Sequence, residues 1–536
     1  MNVATLLSAV ARERPDAPAL VTPRGTISFG ALDARSSRIA QGLAALGVGA
    51  GDGVLFFEPP SIALYASLAA VFRLGAVAMF VEPSAGRAVL EAACAMWPPR
   101  AFVATPRAHL LRLIVPGLRR IPVKISTGGW VPGATTLSAL GPRPSAAMDA
   151  PRAEGRGPRA RAAGNAVAAV ADDHPALLTF TSGSTGAPKA AVRTHGILRA
   201  QLEALGPLTA RRGEREMVSL PIVVLLNLAS GAETVLPDAD LRRPGEIDAR
   251  PVLAQLRAHV VERLTASPAF VERLLDAPPA ALTTLRTVVT GGGPVFPDVV
   301  ERLERAAPGV RVVTVYGSTE AEPIAHVAND EMSERDREAM RAGAGLLVGS
   351  VAPVATVRLI AAHRSEPSAP TDADELDRLT VPLGEVGEIV VAGPHVVRGY
   401  LHGRGDAESK IRVDDVVWHR TGDLGRFDEH GRLWLLGRAS AAIVDERGTL
   451  YPFAVECAAR HALGGGRVAV IAHAGRRLLV VERSAAVDRE RLRGALSWAR
   501  LDDVVAVDRI PLDRRHNSKV DHASLERLLL TRDHSP

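Results

Sequence analysis

The chain has 536 residues, 47% hydrophobic and 23% charged, enough to bury a large core and form more than one domain. Its two cysteines, Cys94 and Cys457, stand far apart in no ligand spacing; this excludes a disulfide framework or a cysteine metal site and fits a reducing cytoplasm. The formal net charge of +5 permits an anionic partner, nucleic acid or membrane, but the charge is not arranged for one: the densest basic stretch, "PRAEGRGPRARAAG" (151–164), lacks aromatic residues for stacking and reads as a solvated linker.

In chain order, "MNVATLLSAVARERPDAPAL" has no basic region ahead of a long apolar core, so it does not read as a signal peptide. The run "ALYASLAAVFRLGAVAMFV" (63–81) reaches membrane-spanning length, yet Arg73 lies at its centre, where a charge is costly in hydrocarbon. We expect a buried helix from Ser61 to Leu74, then a strand from Ala76 to Val81, and no integral membrane protein. After the linker, "PALLTF" (175–180) and "AAVRT" (190–194) read as strands around a loop, and a helix starts at His195. "LRTVVT" (285–290) leads through "GGGP" into a helix from Pro297 to Ala306, and the strand "VRVVTV" (310–315) ends at a loop, "YGSTEAEP". Alternating strands and helices predict an α/β fold, with mainly parallel sheets flanked by helices over 1–438. From about Ala439 the elements shorten into a small α+β domain over 439–536, with a boundary near Arg438. Ligands of open α/β sheets bind at the carboxyl ends of strands, where these loops lie.

The loop "TSGSTGAPK" (181–189) offers the parts of a phosphate site: Gly183 and Gly186 for a backbone that wraps an anion, hydroxyls of Thr181, Ser182, Ser184 and Thr185, and the charge of Lys189. It is not a P-loop, since Pro188 precedes the lysine and a strand follows. Alone it is equally ordinary turn material. Four other stretches change its weight: "TGGGPVFP" (290–297), "VYGSTEAEP" (315–323), "HRTGDLGRFDEHGRLWLLGR" (419–438) and "PLDRRHNSKVDHASL" (511–525). With the loop, in this order, they resemble the core motifs of the adenylate-forming superfamily, which includes acyl-CoA synthetases, luciferases and peptide-synthetase adenylation domains.

The chemistry of carboxylate activation gives each motif a task, because pyrophosphate must be held as it leaves the α-phosphorus. The resemblance implies ATP and Mg²⁺ as cofactors and a cytoplasmic enzyme acting on a small-molecule acid. Residues 181–189 suit the phosphates; Gly292, Gly293 and Pro294 form a bare wall for adenine, with Tyr316 to stack on it. Gly317, Ser318 and Thr319 extend that site, and Glu320 with Thr185 would hold the metal. Asp423 and Arg438 suit the ribose. Lys519 would meet the carboxylate and α-phosphate in the transition state, and His195 stands where the family has a histidine near the acyl pocket. Each has a plainer reading in isolation: Tyr316 as core, Asp423 as a turn residue, Lys519 as a surface lysine.

Departures from the family pattern narrow the reading. Asn517 and Ser518 precede the lysine, His522 replaces a common arginine, and Ser440 and Val444 replace usual hinge residues. In the family the small domain turns after adenylation to present a second face, with Gly448 on the coenzyme A tunnel; these departures leave the use of coenzyme A open. "SLPIVVLLNLASG" (219–231), apolar except for Asn227, suits a lipid-like acyl group. Together with "AGAGLLVGSVAP" (342–353) and "DRRHNSK" (513–519), these features resemble the olefin β-lactone synthetases, which act on long-chain β-hydroxy acids and belong among lipid-biosynthesis enzymes with which the chain would assemble. A fatty acyl-CoA or acyl-carrier-protein ligase, and a non-catalytic nucleotide- or acyl-binding relative, remain the alternatives.

Overall fold

The computed structural model describes residues 1–82, 86–141, 166–182, 188–278, 282–361, 372–482, 488–513 and 519–533. Two compact units emerge, one of Met1–Pro237 with Val397–Ala407, the other of Asp238–Val396 with Glu408–Pro536.

The first unit carries a seven-stranded sheet in the order Thr135–Thr136, Val123–Ser126, Pro99–Ala104, Gly53–Phe57, Val77–Val81, Pro175–Ser182, Pro188–Thr194. All pairs are parallel except the last, which is antiparallel. Leu55, Val77, Met79, Phe102, Leu178 and Phe180 pack on one another as its core. The apolar run is resolved as expected: Ser61 caps a helix Ile62–Arg73 by accepting the Leu64 N–H, and Val77–Val81 follows as a strand. Arg73 is buried but satisfied, donating to Ser36 Oγ (2.9 Å), to Ser8 Oγ (2.9 Å) and to the Asp33 carboxylate. A paired cation of this kind is at home in a protein core. Among the described residues no helix is long and apolar enough to cross a membrane.

In the second unit Arg263–Ala266, Thr287–Gly291 and Arg311–Ser318 run parallel. Ala321–Ala328, Leu346–Val351, Leu433–Arg438, Val416–Phe427, Gly387–Ala392 and Thr356–Ile360 continue that sheet antiparallel. The helix Pro297–Ala306 has the expected bounds, with proline in its first turn where no N–H partner is lost. Beyond Arg438 the elements form small sheets of their own: Ile443–Asp445 with Gly448–Leu450, and Val468–His473, Arg476–Glu482 and Asp503–Val507. This carboxyl-terminal segment packs on the rest of its unit through the helix Pro452–Leu463, whose Cys457 joins the cluster of Phe296, Tyr316, Met340 and Leu346.

Candidate active site

In the second unit, the parallel strands Thr287–Gly291 and Arg311–Ser318 lie so close that a Cβ on Gly291 would meet the Val315 carbonyl at 2.4 Å. Gly292 follows at φ +81°, which glycine adopts without strain. The chain therefore leaves the sheet through Gly292, Gly293 and Pro294 with almost no side-chain bulk. The second strand does not end in the expected loop. It continues to Ser318 and returns as Ala321–Ala328, so Tyr316, Gly317 and Ser318 lie on paired strand and Thr319 and Glu320 form a hairpin tip. Ser318 Oγ closes the tip, accepting the N–H groups of Glu320 (3.3 Å) and Ala321 (3.2 Å). Turn-forming residue types misled the sequence reading here because ladder pairing overrides local preference.

Strand pairing sets Asp423 opposite Arg438. Arg438 Nε lies 3.1 Å from Asp423 Oδ1, and the Tyr316 hydroxyl donates to Asp423 Oδ2 at 2.9 Å. Tyr316 is buried; desolvation first and the Asp423 charge second push its phenol well above the ordinary value and keep it a donor. It thereby aims the carboxylate, a role no local sequence signal announced. Glu320 Oε2 lies 3.9 Å from His419 Nε2. Burial lowers the His419 pKa to about 4, so this imidazole is neutral at pH 7 and does not neutralise the carboxylate. Among the described residues no group of three or more His, Cys, Asp or Glu is poised to hold a metal. A single carboxylate nevertheless fits Mg²⁺, which takes one or two carboxylates and completes its shell with phosphate oxygens and water.

Lys519 stands on a pinned base. Its N–H donates to Asp513 Oδ1 (3.0 Å), its carbonyl accepts from Asp513 N–H (2.8 Å), and Leu512 bridges to Val520. Gly292, Gly293, Pro294, Tyr316, Gly317, Asp423, Arg438 and Lys519 all line one cavity of about 140 Å³. His522 also lines it, its imidazole held below the ordinary pKa by burial. The sequence reading missed Arg460 and Glu272 on the same wall: Arg460 Nη2 meets Glu272 Oε1 at 2.7 Å, and its guanidinium also grips Asp298 at 2.8 Å from two nitrogens. An arginine in the alanine-rich "FAVECAARHAL", one turn after Glu456, was the available sign of a buried partner.

In the first unit Thr181 and Ser182 close the strand Pro175–Ser182, while Gly183, Ser184, Thr185 and Gly186 lie outside the described residues. Lys189 is the second residue of the next strand, Pro188–Thr194, with Nζ 5.5 Å from the Tyr400 ring centre. His195, expected near the acyl pocket, opens the helix His195–Leu205. It is fully buried, Nδ1 accepts the Val3 N–H (3.2 Å), its ring stacks on His174, and burial lowers its pKa to about 4. So enclosed, its Nδ1 holds the start of the chain. "SLPIVVLLNLASG" forms the helix Pro221–Ser230, whose Ile222, Leu225 and Leu226 line an apolar cavity of about 50 Å³ with Tyr65, Phe72 and Leu198.

With this geometry in place, comparison with known proteins is decisive: the AMP-binding enzyme family model matches residues 7–401. The chain belongs to that family. It is similar to an olefin β-lactone synthetase of Stenotrophomonas maltophilia, 34% identical with 98% of this chain and 97% of that protein aligned. A second olefin β-lactone synthetase, from Xanthomonas campestris, is 33% identical over 85% of this chain and 81% of its own length. Among solved structures, ATP-bound MatB from Rhodopseudomonas palustris superposes with a TM-score of 0.75 at 21% identity, covering 98% of this chain and 99% of that one; at that identity the likeness speaks for the fold. The chain is thus an adenylate-forming ligase or synthetase, and nucleotide use follows from the family.

Proposed function

We propose that the chain activates a long-chain β-hydroxy acid with Mg-ATP and closes it to a β-lactone. The carboxylate oxygen attacks the α-phosphorus, the bond to the β-phosphate oxygen breaks, and pyrophosphate leaves. The substrate's own β-hydroxyl oxygen then attacks the acyl carbonyl carbon, the acyl–phosphate bond breaks, and AMP departs as the hydroxyl proton is lost. The observation that carries this reading is the single cavity shared by Tyr316, Asp423, Arg438 and Lys519. In it Asp423, aimed by Tyr316, would accept from the ribose, and Lys519 would counter charge growing on the carboxylate and α-phosphate; Glu320, at the hairpin tip that follows the Tyr316 strand, would hold Mg²⁺. Lys189 and the loop before it are proposed for the departing phosphates.

Two facts support the lipid and lactone parts. A relative aligned over 98% of the chain is an olefin β-lactone synthetase, and the helix Pro221–Ser230 is apolar where it lines its cavity. An attached nucleophile has a high effective concentration and needs no thiol cosubstrate. The test is incubation with Mg-ATP and a 2-alkyl-3-hydroxy acid, with and without coenzyme A, followed by pyrophosphate assay and product mass. Lactone and AMP without coenzyme A are expected; a thioester formed only with coenzyme A would replace this reading by an acyl-CoA ligase.

A further inference from the structure

Four of the twelve large apolar side chains exposed among the described residues fall within one short stretch: Leu110 (63%), Leu113 (74%), Ile114 (57%) and Trp130 (78%). Single exposed apolar residues are commonplace; a cluster marks an interaction surface. Leu110 and Leu113 belong to the 3₁₀ turn Ala108–Leu113, where residues three apart eclipse on one face, and Ile114 follows directly.

This surface is built rather than frayed. Arg112 Nη2 donates to the Pro132 carbonyl (2.8 Å), tying the 3₁₀ turn to the loop of Trp130, and Ser126 Oγ donates to the Gly129 carbonyl (2.7 Å) within that loop. Beneath, the buried His109 bonds to the Ile125 carbonyl (3.0 Å), and Val115, Leu118 and Ile121 pack in the core. The apolar residues that point inward are therefore accounted for, and the four outward ones are left over.

The charge around them has one sign. Residues 105–133 contain Arg107, Arg112, Arg119, Arg120 and Lys124 and no Asp or Glu. Arg107, Arg119 and Arg120 are exposed. Two acidic residues that reach this region turn into it rather than out: Glu58 accepts from Thr127 Oγ1 (2.5 Å) and Ser61 Oγ (2.8 Å), and Glu91 accepts from the Gly117 N–H (3.0 Å).

The geometry points to a docking surface for an anionic lipid bilayer. Leu110, Leu113, Ile114 and the amphipathic ring of Trp130 enter the interfacial zone, while the arginines stay at the level of the lipid phosphates. A single aromatic residue makes no stacking platform for nucleic acid. The whole-chain charge pattern had argued against a membrane partner; folding gathers a shorter basic segment beside an apolar tip that composition did not single out. This inference stands apart from the proposed reaction, since it concerns binding alone.

The test is co-sedimentation of the full chain with vesicles of phosphatidylcholine alone or of equal parts phosphatidylcholine and phosphatidylglycerol, at low and high salt. Binding to the anionic vesicles, weakened by salt, is expected. Arg119→Gln/Arg120→Gln should weaken it by roughly fivefold per charge removed, and Leu113→Ser/Ile114→Ser/Trp130→Ser should abolish it. Both variants should keep the parent's pyrophosphate release with a soluble short-chain acid, which controls for folding. No binding by the parent, or equal binding by the variants, overturns the inference. So does a parent that self-associates in solution and becomes monomeric on loss of the three apolar residues, which would make the patch a protein interface.

Discussion

A lysine whose backbone is clamped from both sides by Asp513 can present its ammonium at a fixed place, and Lys519 presents it to the cavity of Tyr316, Asp423 and Arg438. The task proposed for it follows from where charge grows. ATP already carries its negative charge before reaction, whereas the contact between carboxylate and α-phosphorus exists only in the transition state. We therefore expect Lys519→Ala to slow pyrophosphate release by on the order of a hundredfold or more, as loss of one preorganised partner does elsewhere, with ATP affinity nearly unchanged by calorimetry. Equal loss of binding would make Lys519 a ground-state ligand. That Tyr316, Asp423, Arg438 and Lys519 come together was legible because the chemistry their motifs suit calls for such side chains at one place. The hydrogen bond from Tyr316 to Asp423 was not, since it joins residues 107 positions apart and leaves no local trace. The bond from the Val3 N–H to His195 Nδ1 left no local trace either, since a histidine at a helix start reads the same with or without it.

At the scale of the element, the helix Pro452–Leu463 adds a buried ion pair to the apolar packing of Cys457 that holds the carboxyl-terminal segment on its unit. Arg460 spans Asp298 and Glu272, with its guanidinium 4.5 Å from the Phe296 ring centre. Removing it strands two carboxylates, and Arg460→Ala should cost about 3–5 kcal/mol, read as a lowered thermal midpoint; a change under 1 kcal/mol would show that water replaces the guanidinium at no net loss. One turn earlier, Glu456 is buried, and desolvation raises its pKa to about 8 despite the Val470 N–H and Arg460. Unfolded, it loses its proton near 4.5. Between these values the folded state holds the extra proton, so the group's contribution is complete at low pH and declines as pH rises towards 8, by at most about 1.4 kcal/mol per pH unit. Glu456→Gln keeps an acceptor for Val470 and should flatten the fall in thermal midpoint between pH 5 and 8; an identical slope in both proteins would remove Glu456 as its source. Elements of this size were well read from the sequence where periodicity and caps agreed, as in Ile62–Arg73 and Pro297–Ala306. They were misread at Tyr316–Ser318, where an antiparallel partner, invisible locally, made strand of turn-forming residues.

For the molecule as a whole, the question is how many arrangements of the carboxyl-terminal segment the reaction needs. The compact units do not divide at Arg438, the boundary expected from sequence; the segment beyond it sits within the second unit while folding into sheets of its own. The present arrangement already brings Lys519 to the cavity of Tyr316 and Asp423. The resemblance to the adenylate-forming superfamily implies a second face of this segment for transfer to an outside thiol, a need that the proposed attack by an attached hydroxyl would remove. Ala439 is where the two cases part. It opens a single 3₁₀ turn, Ala439–Ala441, after Arg438 at φ −68° and ψ 136°, an extended conformation that tolerates a following proline. Proline at the first position of such a turn fixes φ with little loss. Ala439→Pro should therefore fold normally and stiffen the connection. If one arrangement serves both steps, the variant releases pyrophosphate and forms lactone at the parent's rates, measured by phosphate assay and product mass. If pyrophosphate release persists while product formation falls tenfold or more, the segment must move between the steps, and single-arrangement closure is wrong.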